Sequence, residues 1–362
     1  MADFEKVNDV ATSSIEKVND IAKSSIQNIN GMTVPASGAT LWVAGINDCY
    51  AGFATTDLTS WTTYDARSTG ATPDFTRVGY GKDGSGNPIW VGTWLADNAE
   101  VNYTSDPTDS NHWTAVQNDS SGSNLRNRKH ALKWGNDVWV AIGSQSGSYK
   151  NYFRSTDGQA WTQVDCSGYT DFNTTQITAL ATDGAGTWWF AQQCRIYKST
   201  NNASSFSLYH TITGCGEIDD LAYTNSTLVA IANGVVYAEV AANSSADFSS
   251  GTDLSASGLK RMAASGGRVV AVNGKKAWYF DVSGKTISNA GNSDNYPQVG
   301  GSDITGQCIG TDGTTWLVGC IGGHIVRSTD NGETWAVIVS ALSSGGSAKD
   351  IEDIKPNIYL PL

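Results

Sequence analysis

The 362-residue sequence has few charged residues, and most of those it has are acidic. Asp, Glu, Lys and Arg make up 16% of the chain, and 35 acidic against 23 basic residues give a formal net charge of −12. Nucleic acids and anionic membrane surfaces both bind basic surfaces. We therefore expect neither nucleic acid nor a membrane among the main partners.

Long apolar segments are also missing. No window approaches 18 consecutive apolar residues, the length typical of a membrane-spanning helix. The first residues lack the basic and apolar regions of a secretory signal peptide. We expect a protein that is made and used without export or membrane insertion.

Closely spaced cysteines are absent as well. The six cysteines lie far apart without a CxxC pair, and the four histidines show no metal-ligand spacing. We therefore expect buried free thiols, no metal and no cofactor. A bridge between Cys308 and Cys320 on adjacent strands stays open, because spacing alone does not establish one.

Glycine and aromatic residues are abundant, with 39 Gly, 13 Trp and 14 Tyr, which is typical of many short strands joined by turns. Seven apolar segments recur at intervals of roughly 40 to 50 residues, the length of a propeller blade. They begin at Leu41, Ile89, Val138, Trp188, Leu228, Val269 and Trp316. The sequence therefore predicts an all-β, seven-bladed β-propeller.

A turn motif follows the third predicted strand of several blades. Its most complete copy is STDNGETW at Ser328–Trp335, and it resembles an Asp box, also called a BNR repeat. In such a turn we expect the Asp to accept backbone hydrogen bonds, the Gly to supply a positive φ and the Trp to pack between sheets. The structural residues predicted in this way are Asp57, Trp61, Asp106, Trp113, Asp157, Trp161, Ser328, Asp330, Gly332 and Trp335.

The first blade has no room for its own first strand after Pro35, whereas the tail sequence AKDIEDI (348–354) resembles first strands elsewhere, such as EIDDLAY (217–223). We therefore expect the C-terminal strand to close blade 1, which leaves the ring without a long open edge. The predicted domains are a helical stalk (1–33), a hinge (34–38), the propeller (39–356) and a C-terminal tail (357–362).

An eleven-residue repeat occurs twice near the start of the chain, as FEKVNDVATSS (4–14) and IEKVNDIAKSS (15–25). Eleven residues in three turns predict an α-helix with one apolar stripe, which needs a partner surface. We predict that this stripe, through residues 4–29, forms a homotrimer; folding back onto the propeller is the alternative. The stripe consists of Phe4, Val7, Ala11, Ile15, Val18, Ala22, Ile26 and Ile29.

The repeat at Ser14–Ser25 is similar to repeats at the start of virion structural proteins of tailed phages, especially marine cyanophages. The resemblance implies a fibre, spike or decoration protein, located in the virion and assembled in the host cytoplasm. Its implied partners are itself, other virion proteins and a host surface glycan or protein. Three classes stay open: a receptor-binding fibre, a passive capsid or tail connector, and a glycosidase.

Asp boxes also occur in sialidases, whose resemblance would imply an arginine triad and a Tyr–Glu pair. The Arg-Ile-Pro motif usual in that family is absent, and the nine arginines are scattered. Photosystem-assembly propellers share the architecture, but they are exported and lack such a stalk. We therefore expect no enzymatic activity and no catalytic residue.

Ligand contacts are expected on the propeller face formed by the loops between second and third strands and between blades, because loop length varies there without disturbing the sheets. Aromatic rings in or beside these loops could stack on sugars. The alternative is that the rings only hold their loops in place. The candidates are Trp94, Tyr149, Tyr169, Phe172 and Tyr296.

Overall fold

The chain divides into two compact units, Met1–Thr40 and Leu41–Leu362. The computed structural model describes residues 17–18, 21–22, 28–29, 32–33, 40–48, 50–54, 58–66, 74–95, 101–109, 113–116, 132–142, 151–166, 177–239, 248, 252–253, 261–283, 286–344 and 347–358.

The first unit is described at two short antiparallel ladders, Lys17–Val18 with Ile21–Ala22 and Asn28–Ile29 with Met32–Thr33. Most of the predicted helix lies outside the described residues and stays a prediction. At the described stripe positions 18, 22 and 29 the backbone is paired as strand and not helical. A helix with one apolar stripe needs a partner surface, so its formation depends on association. The other stripe positions, Phe4, Val7, Ala11, Ile15 and Ile26, lie outside the described residues.

The second unit is an all-β propeller of seven four-stranded antiparallel sheets, as predicted. Each sheet is one blade, and in blades 2 to 7 the strands run outward from the centre in sequence order, whereas in blade 1 the C-terminal strand is innermost. Blades 1 to 3 are Ile351–Pro356, Trp42–Ile46, Tyr50–Ala54 and Thr62–Asp65; Asp74–Lys82, Pro88–Leu95, Val101–Thr104 and Thr114–Val116; and Leu132–Gly135, Val138–Ile142, Asn151–Ser155 and Thr162–Asp165. Blades 4 and 5 are Ile177–Thr182, Trp188–Gln192, Arg195–Ser199 and Ser207–Thr211; and Ile218–Thr224, Thr227–Ala232, Val235–Ala238 and Thr252–Asp253. Blades 6 and 7 are Arg261–Ser265, Arg268–Asn273, Lys276–Ser283 and Thr286–Asn292; and Gly306–Thr311, Trp316–Cys320, Ile325–Ser328 and Ala336–Val339.

The smaller elements are the strand pair Ser343–Ser344 and Ser347–Ala348 and the 3-10 helix Ile321–Gly323. In five blades the second strand is buried along its whole length, as in Trp42–Ile46 and Trp316–Cys320. A strand covered by neighbouring blades on both faces needs apolar side chains in both directions, which explains the continuous apolar runs. The outermost strands, such as Ser207–Thr211, are largely exposed.

The C-terminal strand Ile351–Pro356 is the first strand of blade 1, where it pairs antiparallel with Trp42–Ile46, as predicted. An asparagine forms hydrogen bonds at each end of this strand pair. Asn357 and Leu41 exchange two hydrogen bonds, of 2.8 and 2.9 Å, and Asn47 and Asp350 exchange two of 3.0 Å. The first strand of each blade then contacts that of the next around a complete ring.

Two cysteines differ from the expectation of free thiols. Cys194, in the turn after the second strand of blade 4, forms a disulfide with Cys215 in the connection to blade 5. The sequence does not reveal that this turn and connection meet at the same face, with Cα atoms 5.7 Å apart. Cys166, Cys308 and Cys320 are buried, and none of the three is in a disulfide with a described residue.

We expect that deleting residues 347–362 abolishes cooperative thermal unfolding. The deletion exposes one edge of Trp42–Ile46 and removes Ile351 and Ile354, two fully buried side chains worth at least about 3 kcal/mol together. Circular dichroism measures the transition, with deletion of residues 359–362 as the control. A cooperative transition at the wild-type temperature in the longer deletion would contradict the closure role.

Candidate functional site

The predicted turn residues form local hydrogen-bond networks. Asp157 Oδ1 accepts hydrogen bonds from the N–H groups of Gln159 and Ala160 and from the Ser155 hydroxyl, at 2.7–2.8 Å. The Trp161 indole donates to the Gly158 carbonyl at 3.1 Å.

Residues 328–335 repeat this pattern. Asp330 accepts from Thr334 N–H and the Ser328 hydroxyl, and the Trp335 indole donates to the carbonyl of Gly332, whose φ is +87°. Burial by itself would raise the pKa of Asp330, but these hydrogen bonds outweigh it, so its pKa is lower than usual. A carboxylate stabilised as an anion in this way is a poor proton donor at neutral pH.

The other predicted copies are less complete. Asp106 accepts from Thr108 N–H at 2.9 Å, and the Trp61 indole donates to the Leu58 carbonyl at 2.8 Å. The Trp113 indole instead reaches blade 1, where it donates to the Tyr64 hydroxyl at 2.7 Å. Asp57 lies outside the described residues.

The predicted ligand-binding aromatics do not form a described cluster. Tyr149, Tyr169 and Phe172 lie outside the described residues, and Trp94 is described only as a strand residue opposite Phe75. Tyr296 is 2% exposed and packs edge-on against Trp335 at 5.6 Å. This burial disagrees with the expectation that Tyr296 contacts a ligand, because its ring fills the space beside blade 7 and holds its loop in place.

Charged side chains converge instead on the central channel, on the first strands of the blades. A β-bulge after the first residue or two shifts the register in blades 1, 2, 4, 5 and 7. We call the equivalent position of these strands ring A. Its described members are Asp353, Arg77, Ala179, Asp220, Arg261 and Cys308, opposite Gly45, Thr93, Ala191, Ile231, Val272 and Gly319.

Ring B lies two residues further along each first strand. Five of its members are Gly or Ala, namely Gly79, Ala181, Ala222, Ala263 and Gly310, and the other two are Lys133 and Lys355. Neighbouring blades approach closely here: a Cβ on Gly310 would lie 2.3 Å from the Ile354 carbonyl oxygen. Small residues therefore fit this ring, and a lysine is an exception.

The two ring A aspartates are bound alike. Asp353 accepts hydrogen bonds from its neighbour Ile354 and from Val78 of blade 2, at 3.0 and 3.2 Å. Asp220 accepts from its neighbour Leu221 and from Met262 of blade 6, both at 2.8 Å. Each carboxylate thus bridges its blade to the next.

Basic groups surround these carboxylates. The Lys355 ammonium lies 2.9 Å from Asp353 and 3.4 Å from the Ile309 carbonyl oxygen, and Arg77 donates to the Glu352 carbonyl at 3.1 Å. Burial would raise the pKa of Asp353, but Lys355 and Arg77 outweigh it and hold that pKa low.

Residues of blades that do not touch interact across the channel. Lys133 of blade 3 interacts electrostatically with Asp220 of blade 5 and with Lys355 and Asp353 of blade 1. Arg261 of blade 6 interacts with Arg77 of blade 2 and with Asp353 and Glu352 of blade 1. Such pairs can meet only in the centre of the ring.

Burial changes the charge balance of this channel cluster, which we define as Arg77, Lys133, Asp220, Arg261, Glu352, Asp353 and Lys355. Burial raises the pKa of Asp220 to about 6, against the opposing effects of Lys133 and the two backbone N–H donors. Burial and the nearby Arg77 lower the pKa of Arg261, and burial lowers that of Lys133.

The sequence interpretation missed this cluster. The sequence signal that could have revealed the cluster is a pair of similar first strands, IDDL (218–221) and IEDI (351–354). In both, the second acidic residue precedes an apolar one. No group of three or more His, Cys, Asp or Glu side chains suited to a metal occurs among the described residues. Within the same residues, no helix has the length and apolar character needed to span a membrane.

No family model matches the chain, and no curated protein sequence matches it. Three solved propellers resemble its fold at 14% sequence identity. YCF48 from Cyanidioschyzon merolae has a TM-score of 0.53, covering 79% of this chain and 95% of its own; YCF48 bound to D1 peptide has 0.51, covering 73% and 80%. A proposed 6-phosphogluconolactonase from Bacteroides fragilis has 0.55, covering 89% and 99%. At this identity the likeness shows the fold alone.

Tyr296→Phe is expected to keep or raise the free energy of unfolding by up to about 1 kcal/mol, because the buried Tyr296 hydroxyl has no hydrogen-bond partner among the described residues. Tyr296→Ala is expected to lower it by about 3–5 kcal/mol. Urea denaturation measures both. Unchanged stability in Tyr296→Ala would contradict a packing role.

The free energy of unfolding is expected to fall, relative to Asp220→Asn, as the pH rises from about 4 to about 6. Because burial raises the pKa of Asp220 to about 6 in the folded state, above roughly 3.9 in the unfolded chain, the folded protein keeps a proton that the unfolded chain releases. The full difference amounts to about 3 kcal/mol.

Urea denaturation at several pH values measures this dependence. Loss of one acceptor oxygen in Asp220→Asn adds only a pH-independent offset. The exposed Asp294→Asn is the control and should follow the wild type. Parallel curves for wild type and Asp220→Asn would contradict the raised pKa.

Proposed function

We propose that the chain is a structural protein of a tailed-phage particle, a fibre or spike whose propeller is a binding head. The observation that carries this proposal is the doubled eleven-residue repeat at residues 4–25, placed directly before a propeller. Its apolar stripe requires a partner surface, which a homotrimer or another virion protein would supply.

The turn carboxylates support a binding head over an enzyme. Asp157 and Asp330 are surrounded by hydrogen-bond donors of their own turns, and the pKa of each is lower than usual although burial opposes this. They serve the turns and offer no proton donor near neutral pH. The closed ring then presents a rigid surface whose loops are free to vary.

The ligand of the head is proposed to be a host surface glycan or protein. This proposal keeps four of the candidate ligand contacts, which the sequence places in or beside loops of one propeller face. They are Trp94, Tyr149, Tyr169 and Phe172. Tyr296 is left out because it is buried. A passive connector of capsid or tail, without a host ligand, is the alternative within the particle.

A glycosidase is the second candidate, and one observation favours it. Asp220, with its pKa near 6, and Asp353, with a lowered pKa, are two carboxylates in one channel whose environments separate their pKa values. Against this, the oxygens of both already accept backbone N–H groups in the same blade-bridging pattern. The bridging role is therefore the simpler explanation.

Antibodies raised against the purified chain are expected to label the intact phage particle, with tail labelling expected for a fibre. Particles carrying Val18→Asp should lose the label, because an ionised side chain on the stripe is costly to bury at an assembly surface. Lys17→Asp, on the polar side of the predicted helix, is the matched control. Light scattering should give a trimer for the wild type and for Lys17→Asp, but not for Val18→Asp.

Absence of label from the particle would overturn the virion proposal. Capsid labelling without adsorption to host cells would favour the passive connector. Release of reducing sugar from host glycans by the wild type, lost in Asp220→Ala, would favour the glycosidase.

A further inference from the structure

The ring B position of blade 3 is unusual for packing reasons. Five of seven blades carry Gly or Ala there, where adjacent first strands approach closely. Blades 1 and 3 carry lysines, which bring a long cationic side chain and a desolvation cost to a crowded place. A lysine at such a position calls for a compensating interaction.

Lys355 has that interaction within the protein. Its ammonium binds the Asp353 carboxylate at 2.9 Å and approaches the Ile309 carbonyl oxygen. The Lys133 ammonium lacks an equivalent: it makes no hydrogen bond and no ion pair with a described residue, and its interactions with Asp220, Asp353 and Lys355 are electrostatic. Blade 3 therefore holds three N–H donors without a described acceptor.

The carboxylates nearby are already engaged. Both oxygens of Asp220 accept backbone N–H groups, and Asp353 binds Lys355 and two further N–H groups. Across the channel cluster, the four cationic side chains face three carboxylates. Asp219 of blade 5 occupies the bulge position that Glu352 occupies in blade 1, so acidic and basic side chains on these inner strands are equal in number.

Solvent reaches this place. Lys133, Arg261 and Lys355 belong to the innermost strands of the ring and are mostly buried, but each keeps part of its surface exposed. A small anion can therefore enter the channel and meet an ammonium group that is mostly withdrawn from water, where charge-assisted hydrogen bonds are strong.

We propose that the central channel binds a small oxyanion, a carboxylate or phosphate group, with the Lys133 ammonium as its main ligand. Arg261 and Lys355 supply further positive charge around it. A bound oxyanion provides the acceptor that the Lys133 ammonium lacks. The site belongs to the propeller alone, so it is independent of the virion proposal.

Isothermal titration calorimetry of the full-length protein with inorganic phosphate and, separately, with acetate tests the site at constant ionic strength set by sodium chloride. Lys133→Ala introduces the residue type that other blades carry at ring B, so it is expected to fold. It should bind the anion at least tenfold more weakly than the wild type. Lys275→Ala, which removes an exposed cation elsewhere on the propeller, is the matched control and should bind like the wild type.

Binding of phosphate alone identifies a phosphate group as the ligand, and binding of acetate alone identifies a carboxylate; either supports the proposal. Absence of saturable binding of both anions to the wild type overturns it. Equal affinity in Lys133→Ala and wild type also overturns it, because the anion would then lie elsewhere. If Lys133→Ala does not fold by circular dichroism, Lys133→Met replaces it, and the wild-type titration decides by itself whether a site exists.

Discussion

The pairing of Ile351–Pro356 with Trp42–Ile46 is the constraint on which the propeller depends. It joins the two ends of the propeller sequence in one sheet, so that blade 1 has four strands like the others and Trp42–Ile46 is paired along both edges. Because this pair joins segments from the two ends of the propeller sequence, it can exist only if the seven blades together complete one turn of the ring. A β-bulge bends a strand and increases its twist. Five first strands carry a bulge at the same place, which gives these blades a similar curvature.

Closure also brings charged residues together at the centre. First strands of the ring present one position from each blade to the same narrow channel, so residues more than 40 positions apart in sequence interact there. Asp220 and Asp353 tie neighbouring blades by accepting backbone N–H groups from the next first strand. Their negative charge needs basic partners, and the cluster of Arg77, Arg261, Lys133 and Lys355 more than matches it.

Adjacent blades are joined a second time at their periphery. The turns after the third strands hold their carboxylates in networks of local donors, while tryptophans and glycines of these turns contact the preceding blade. Gly158 lies so close to Ile89 and Val91 of blade 2 that a Cβ there would approach them within 3 Å. Glu333, in the corresponding turn of blade 7, forms an ion pair with Arg268 of blade 6 at 2.8 Å. Neighbouring blades are therefore joined by both inner and outer contacts.

The sequence by itself determined the number of blades, the period of the strands and the strand that closes the ring. Apolar runs such as LWVAGI and WLVGCI indicate strands that are buried on both faces. This signal lies in the residues of the strand itself and in the spacing between strands. Tertiary structure alone decided which residues meet in the channel, that Cys194 reaches Cys215, and that Tyr296 turns inward. Each of these depends on contacts between segments far apart in sequence, and no local pattern of residues carries that information.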